Sequence, residues 1–290
     1  MHPLEVDAER FDRLCGWIGR WFNVIALDDA VQALKQGTLP ERALAITFDD
    51  GYADNHDVAL PILQRHGMKA TFFIATGYLD GGRMWNDTVI ESIRATRLES
   101  VDLARLLGGD APVLPLLTPA DRRAAVSAVI GRSKYLPPVQ RQAFVDEFAR
   151  VLGASPPRDL MMTSTQVQAL RRAGMQIGAH TVSHPILRVL DKPQALEEIA
   201  ASRRFLQNLL DEPVGLFAYP NGKRDVDFDT GTAGLVEQLG FDAAVTTEAG
   251  VSAAGTDRFQ LPRFTPWETD RGRFAWRLWQ NLRRSKGVSS

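Results

Sequence analysis

Strand-like and helix-like segments alternate along most of this chain, and this alternation constrains the fold more than any other feature. Short apolar, β-branched or aromatic runs predict strands, and the segments between them carry apolar residues at helical spacing. Strands that alternate with helices form a parallel sheet. The predicted strands are residues 22–27, 43–47, 70–75, 175–179, 214–218, 243–246 and 261–264, and the predicted helices are residues 7–20, 28–34, 54–66, 194–210 and 233–239.

Chemically active side chains follow several of the predicted strands, which favours closure of the sheet into a barrel. Residues 81–160 interrupt the alternation: Gly81-Gly82 begins this stretch, Pro156-Pro157 ends it, and the pattern between them is helical without an obvious strand. We therefore predict an α/β fold formed by a single domain over residues 1–290. Residues 81–160 are predicted to be a helical insertion on one barrel loop, and residues 271–290 a basic helix or tail.

Composition narrows the function classes and the compartment. The formal net charge of −1 gives no electrostatic argument for a nucleic-acid partner. Cys15 is the only cysteine, so an internal disulfide is excluded and a reducing compartment suits the chain. The first residues are acidic and polar, unlike a secretory signal, and no apolar run approaches the roughly 18 residues of a membrane span. We expect a cytoplasmic protein, with peripheral membrane contact as an alternative; the oligomeric state stays open.

Two adjacent carboxylates, Asp49 and Asp50, follow the strand predicted at residues 43–47, and Gly51 comes directly after them. A glycine permits the backbone to bend at the strand end. Two carboxylates in close contact repel each other unless a cation or a proton separates their roles, so one could bind a metal while the other acts as a base. An ordinary turn after a strand is the alternative, and this motif taken alone favours it.

Two histidines, His180 and His184, follow the strand predicted at residues 175–179. At a spacing of four they can share one metal ion, for which neutral imidazole is a common ligand; two surface histidines in a loop are an equally good interpretation of this motif alone. Two histidines and one carboxylate together form a facial ligand set that leaves positions open for water and substrate. That arrangement suits hydrolysis, because a metal ion acidifies water and polarises a carbonyl group.

The sequence TFDDG at residues 47–51, followed far downstream by HTVSHP at residues 180–185, resembles the NodB-type polysaccharide deacetylases, carbohydrate esterase family 4. The resemblance covers most of residues 43–265 apart from the insertion. It implies a distorted (β/α)7 barrel that removes acetyl groups from N-acetylated sugars. It also implies roles: Asp49 as general base, and Asp50, His180 and His184 as ligands of a divalent metal. Zinc is the expected metal, with cobalt, nickel or manganese as alternatives.

The chain departs from the family pattern at three places. Where many members have Arg-Pro-Pro-Tyr, residues 217–222 are FAYPNG, so Ala218 replaces the arginine that orients the base. Arg263, at the end of a late predicted strand, could substitute for it, and the backbone N–H of Asn221 could donate to an oxyanion. No histidine follows His184 to serve as general acid. The candidates for the general acid are therefore Glu268, Asp87, a metal-bound water and Asp49 itself. Many relatives also begin with an apolar strand ending in Tyr-His, and no such strand precedes residue 7.

The predicted function is a metal-dependent hydrolase that removes an acetyl group from an N-acetylated sugar of a glycan or glycan precursor. One alternative is a catalytically impaired carbohydrate-binding or scaffold protein with the same fold, which the altered residues 217–222 favour. Another alternative is a deacylase of a different small amide on a nucleotide-linked or lipid-linked sugar. Both enzyme hypotheses imply a carbohydrate partner and a divalent metal.

The residues from Arg271 to Lys286 combine arginines and tryptophans with no acidic residue. A basic helix of this kind can lie at a membrane interface, but burial of its aromatic side chains on the barrel is the favoured interpretation. Trp85 could stack on a sugar, although a buried tryptophan before an Asn N-cap is the favoured interpretation there. Cys15 is predicted to be a small core residue, and His56 and His66 surface or packing residues.

Overall fold

The computed structural model describes residues 6–107 and 111–284. These residues divide into two compact units. The larger unit consists of Val6–Asp80 and the residues from Met161 onward, and the smaller unit is Gly81–Leu160. Within the described residues, no helix is long and apolar enough to cross a bilayer.

The strands of the larger unit form parallel pairs, as the alternating pattern predicts. The strands are β1 (Asn23–Val24), β2 (Ala43–Leu44), β3 (Ile46–Phe48), β4 (Ala70–Ile74), β5 (Gln176–Ala179), β6 (Leu216–Ala218) and β7 (Ala243–Val245). The main sheet has the order β3-β4-β5-β6-β7, and β1 pairs with β2. Only Ala45 separates β2 from β3, so this segment links the two sheets.

One further residue extends the sheet at its other edge. Leu261 forms a parallel bridge with Val245 of β7. If β2 and β3 are counted as one segment and Leu261 is included, seven parallel segments lie side by side among the described residues. This arrangement agrees with the predicted α/β fold of the (β/α)7 type. The predicted strand at residues 261–264 is nevertheless reduced to one bridge, because Pro262 has no N–H to donate to a strand ladder.

The helices of the larger unit cover this sheet. They are α1 (Ala8–Trp21), α2 (Leu27–Gln36), α3 (Leu60–Arg65), α4 (Ser164–Arg172), α5 (Lys192–Leu210), α6 (Thr230–Gln238) and α7 (Arg271–Arg284). The helix predicted at residues 54–66 begins with a π-helical turn, Asn55–Ala59, before α3. Side chains cap several helices: Asp7 accepts from the backbone N–H of Arg10 (2.8 Å), and Asp191 and Gln194 form a capping box on α5.

The core of the larger unit lies between the sheet and its helices. Every residue of β4 is buried, which accounts for its uninterrupted apolar and β-branched sequence. Phe72 packs with the helices on one face of the sheet, and Phe73 packs with side chains of β6 and β7 on the other. Phe48 stacks on Phe72 with ring centroids 4.8 Å apart. Cys15 belongs to the same cluster, as predicted, and burial raises the pKa of its thiol to about 12.

The smaller unit is mostly helical. Its helices Trp85–Ala95, Pro119–Ser133 and Pro138–Val151 share one apolar cluster. It also contains an antiparallel strand pair, Ser100–Asp102 with Val113–Pro115, which the sequence pattern did not indicate because each strand has only three residues. Trp85 is buried and lies under the guanidinium of Arg141 (4.7 Å), so its ring belongs to this core. The helix N-cap is Met84, not Asn86.

The C-terminal helix α7 has two different faces. Phe274 and Leu278 are buried against Leu14 of α1 and its neighbours. The favoured prediction, burial of the aromatic side chains, holds for Phe274 but was wrong for Trp276 and Trp279, which are exposed, as is Leu282. Lys286 of the predicted segment lies outside the described residues.

Candidate metal centre and active site

The backbone turns sharply where β3 ends, and this turn presents Asp49 and Asp50. Asp50 has φ 75° and Gly51 φ 93°, so two successive residues adopt left-handed conformations. Aspartate tolerates this region better than most residues because its short side chain can bond locally. The backbone N–H of Ala75 donates to the carbonyl oxygen of Asp50 (3.1 Å), and the N–H of Met162 donates to that of Gly51 (2.9 Å). These bonds fix the backbone turn from which the two carboxylates extend.

The histidine loop, residues 180–184, begins directly after β5. Thr181 (φ 64°) and His184 (φ 50°) also have left-handed backbones. Strained conformations of this kind persist only where the surroundings enforce them, and they concentrate at functional sites. The Thr181 hydroxyl accepts a hydrogen bond from the backbone N–H of His184 (3.1 Å). This bond closes the loop, so that both imidazoles lie on one side with ring centroids 4.8 Å apart.

The segment after β4 supports the histidine loop through its backbone. The N–H groups of Thr76 and Gly77 donate to the carbonyl oxygens of Thr181 (3.1 Å) and Val182 (2.9 Å). A Cβ atom at residue 77 would lie 2.8 Å from the carbonyl oxygen of Val182. Only glycine therefore allows the two segments to approach this closely.

Glu198 of α5 supports the same loop from another direction. One of its carboxylate oxygens accepts from the backbone N–H groups of Val182 and Ser183, both at 2.9 Å, and the other accepts from the Ser183 hydroxyl at 2.6 Å. Hydrogen bonds to an ionised acceptor are stronger than neutral ones, so this carboxylate anchors the loop firmly. No sequence motif marks Glu198, because its partners are mainly backbone groups.

Asp50, His180 and His184 together form a group that could hold a metal ion. Oδ1 of Asp50 lies 3.4 Å from Nε2 of His180 and 3.3 Å from Nε2 of His184, and the three candidate ligand atoms all lie within 4.8 Å of one another. Tetrahedral ligands about 2.1 Å from a zinc ion are roughly 3.4 Å apart, which matches the two shorter separations. The spacing and the chemistry of the donors therefore fit a divalent metal of the zinc class.

The hydrogen bonds around these donors favour metal binding. Nδ1 of His180 lies 2.7 Å from the carbonyl oxygen of Ala218, which can only accept, so Nδ1 carries a proton and Nε2, the atom directed toward Asp50, is the one available to a metal. Burial raises the pKa of Asp50, but the hydrogen bond from His180 and the charges of both histidines outweigh burial and lower it. The carboxylate is thus ionised and available as a ligand.

Arg263 holds the second carboxylate, Asp49. Nη1 donates to Oδ1 (2.8 Å) and Nη2 to Oδ2 (2.7 Å), and Nε donates to the carbonyl oxygen of Thr246 (2.7 Å). Nη1 also donates to the Thr47 hydroxyl (3.1 Å). Burial raises the pKa of Asp49, but the charge and hydrogen bonds of Arg263 outweigh it and lower the pKa to about 2.

The turn after β6 has a fixed geometry, although Ala218 occupies the position where the resemblance implies an arginine. Asn221 (φ 59°) and Gly222 (φ 68°) are both left-handed. The carbonyl oxygen of Asn221 accepts from the Thr247 hydroxyl (2.6 Å), and a Cβ at residue 222 would lie 2.8 Å from the backbone nitrogen of Thr247. Because β3, β5 and β6 are parallel, this turn lies at the same end of the sheet as the two motifs.

The remaining candidate residues have other partners. The carboxylate of Glu268 accepts a hydrogen bond from Arg277, and Asp87 belongs to the smaller unit. Two histidines pair with surface acids: Nδ1 of His56 lies 2.7 Å from Asp57 and Nε2 of His66 lies 2.7 Å from Asp12.

A family model and a sequence relative both identify the kind of protein that this chain resembles. A family model described as polysaccharide deacetylase matches residues 36–100 and 113–244. The protein YxkH of Bacillus subtilis is 22% identical over 264 residues, which cover 90% of this chain and 66% of that protein, slightly less than two thirds of its length.

The solved structures that resemble this protein include the following two. The Streptococcus pyogenes deacetylase PplD, solved in complex with acetate, has a TM-score of 0.58 and 20% identity, with 90% of this chain and 81% of that chain covered. IcaB from Ammonifex degensii has a TM-score of 0.59 and 17% identity, with 93% and 88% covered. At these identities the likeness establishes the α/β barrel-type fold.

Proposed function

Since the chain belongs to the polysaccharide deacetylase family, whose members are hydrolases of carbon–nitrogen bonds, we propose that it removes the N-acetyl group of an amino sugar in a glycan or glycan precursor. The observation that carries this proposal is the group Asp50, His180 and His184, with an ionised Asp49 in the preceding position of the chain. Two imidazoles and one carboxylate leave coordination positions open, which a hydrolytic site requires.

We assign the metal to Asp50, His180 and His184, with zinc as the expected ion and cobalt, nickel or manganese as alternatives. A divalent ion there would polarise the amide carbonyl and acidify the attacking water. The support is the 3.3–3.4 Å spacing of the donor atoms and the Nδ1–H of His180, which leaves Nε2 free to coordinate.

Asp49 is assigned as the general base. Its carboxylate accepts the proton of the water whose oxygen attacks the amide carbon. With a pKa of about 2, Asp49 is ionised throughout the neutral range, but it is a weak base and, once protonated, a strong acid. The same group can therefore return the proton to the amide nitrogen as the C–N bond breaks, which yields acetate and the free amine. This favours Asp49 over the other candidate acids in a chain without a histidine after His184.

Arg263 is assigned as a positioning residue for Asp49, in place of the arginine absent at Ala218. Its two parallel hydrogen bonds fix the plane of the carboxylate, and its bond to the Thr246 carbonyl fixes the guanidinium itself. The backbone N–H of Asn221 is assigned to the developing oxyanion, because Gly222 and Thr247 hold that turn in one conformation.

The alternative of a catalytically impaired binding protein rests on Ala218. The Arg263–Asp49 pair weakens that argument, because the chain retains an arginine on the base at a different position. A deacylase of another small amide would use the same residues and would differ only in the acyl group released.

Acetate release from an N-acetylated oligosaccharide, with p-nitrophenyl acetate as a general esterase probe, tests the proposal. The purified chain should release acetate when loaded with zinc and lose this activity after chelation, with recovery on adding metal back. An N-formylated sugar tested in parallel would reveal the alternative amide by release of formate. If the fully metal-loaded protein binds the oligosaccharide without releasing acetate or formate, the binding-protein alternative replaces the proposal.

A further inference from the structure

The outward face of helix α7 carries aromatic rings where a surface helix normally carries charges. Trp276 is 56% exposed and Trp279 is 42% exposed, and Arg283 lies one turn further along. These residues have the spacing i, i+3 and i+7, so they share one side of the helix. The exposed Trp267 and Leu282 lie close in sequence to this set. Large aromatic side chains at the surface mark an interaction site more often than chance placement.

The opposite face of α7 packs the helix against the protein, so the exposed tryptophans are not the side chains that hold the helix in place. Phe274 and Leu278 are buried, and Phe274 lies 5.8 Å from the ring of Trp17 and 6.0 Å from that of Trp21. Asn281, also buried, donates through its side-chain amide to the carbonyl oxygen of Gly250 (2.8 Å). The outward tryptophans are thus additional to the residues that pack the helix.

The charge of this helix has one sign, because no acidic residue occurs from Arg271 to the end of the sequence. The guanidinium of Arg271 lies over the ring of Trp21 on the packed side (5.4 Å), and Arg277 forms an ion pair with Glu268. Arg273 and Arg283 are the arginines that we assign to the outward face. The remaining positive charge is local, because the whole chain has a formal net charge of −1.

We propose that the outward face of α7 docks on an anionic lipid bilayer. A helix whose exposed face combines tryptophan with arginine inserts its rings at the headgroup level while its cations meet the lipid phosphates. A second copy of this chain is a poorer occupant, because pairing two identical faces would bring the same arginines together. A glycan is also a poorer occupant: Trp276 and Trp279 stack on each other at 4.9 Å, and Arg283 lies 4.0 Å over Trp279, so much of their ring surface is engaged.

Vesicle sedimentation with the full chain tests this docking independently of catalysis. The vesicles contain phosphatidylcholine alone or with phosphatidylglycerol, at low and at high salt. We expect the protein to sediment only with the anionic vesicles, and less at high salt. The W276A/W279A variant should lose most of this binding. The R273Q/R283Q variant should weaken it roughly 30-fold, since each arginine near an anionic surface contributes about fivefold.

Two matched controls test whether vesicle binding depends on this face of α7 or only on the number of arginines and exposed aromatic rings in the chain. R123Q/R132Q removes two exposed arginines from the smaller unit, and Y135A removes an exposed aromatic ring there. Both should bind vesicles like the unchanged protein, and all variants should keep its melting temperature. Absence of sedimentation with anionic vesicles at low salt would overturn the proposal, as would equal binding to neutral vesicles. Self-association or oligosaccharide binding that W276A/W279A abolishes, without vesicle binding, would assign the face to a second copy or to a glycan instead.

Discussion

Arg263 and Asp49 are separated by 214 positions in the chain, yet the guanidinium and the carboxylate make two parallel hydrogen bonds of 2.8 and 2.7 Å. Asp49 follows β3 at one edge of the main sheet, and Arg263 follows the bridge at Leu261 beside the other edge, so the pair links the two edges of that sheet. The arginine that many relatives carry after the strand equivalent to β6 is Ala218 here. The positive charge beside Asp49, the proposed base, therefore comes from a different segment of the same fold.

Replacing Arg263 by methionine should raise the pKa of Asp49. Burial alone raises this pKa, and Arg263 is the main group that lowers it from 3.8 to about 2. Without the arginine, Asp49 becomes protonated at higher pH, so the acidic limb of the kcat/KM profile should move upward. Turnover should fall roughly 10–100-fold, a usual cost of losing a residue that orients the active group. The profile is measured at constant metal content.

The control for this change is R258M, because Arg258 pairs with Glu237 at the surface. R258M should leave both the profile and the rate unchanged. If R263M also left the acidic limb and the turnover unchanged, Arg263 would have no role in positioning the base.

The Asp49→Asn substitution should separate the base from the metal ligands. Asparagine keeps the shape of the side chain but accepts no proton, so turnover should fall roughly 100- to 10,000-fold while metal content stays the same. Elemental analysis and acetate release measured on the same preparation check both parts. A variant that loses its metal as well would show that Asp49 is a ligand, and one with near-normal turnover would remove its role as base.

The His184→Ala substitution should remove the metal. Two remaining donors, Asp50 and His180, leave an incomplete ligand set, and turnover should fall by at least about 100-fold together with metal content. The matched control is H56A, because His56 is a partly exposed histidine paired with Asp57. Elemental analysis should find normal occupancy in H56A. Full occupancy in H184A would contradict the proposed ligand set.

The sequence predicts the α/β class because burial of parallel strands imposes uninterrupted apolar runs, such as the one at residues 70–74. The motifs at the strand ends are visible for a related reason, since parallel strands bring those ends together. Short strands cannot be predicted from the sequence pattern: each strand of the pair in the smaller unit has too few residues for an alternation of apolar and polar side chains to appear. Pro262 shortens the last predicted strand to a bridge. Which side chains of α7 are buried also depends on packing, because the helix has apolar residues on more than one face and the sequence does not show which face meets the protein.

Glu198 belongs to the candidate site although no sequence motif marks it, and its contacts lead to a separate prediction. Its carboxylate accepts three hydrogen bonds from Val182 and Ser183, which lie between the two histidines. Glu198→Gln replaces an ionised acceptor by an amide that cannot satisfy all three donors, so the histidine loop should lose its fixed conformation. Metal affinity should fall roughly 10–100-fold, as expected for a residue that orients metal ligands.

Titration of the metal-free protein with zinc measures that affinity. If Glu198 only positions the histidine loop, excess zinc should compensate for the weaker binding, which it would not do for a protein that fails to fold. Activity of E198Q should recover at saturating zinc, whereas H184A should stay inactive there. The matched control is E197Q, because Glu197 is the preceding residue on α5 and pairs with Arg204 at the surface. E197Q should bind zinc like the unchanged protein. If E198Q also bound zinc with unchanged affinity, the other bonds of the loop, from Thr76 and Gly77 and within the loop itself, would be sufficient to hold it.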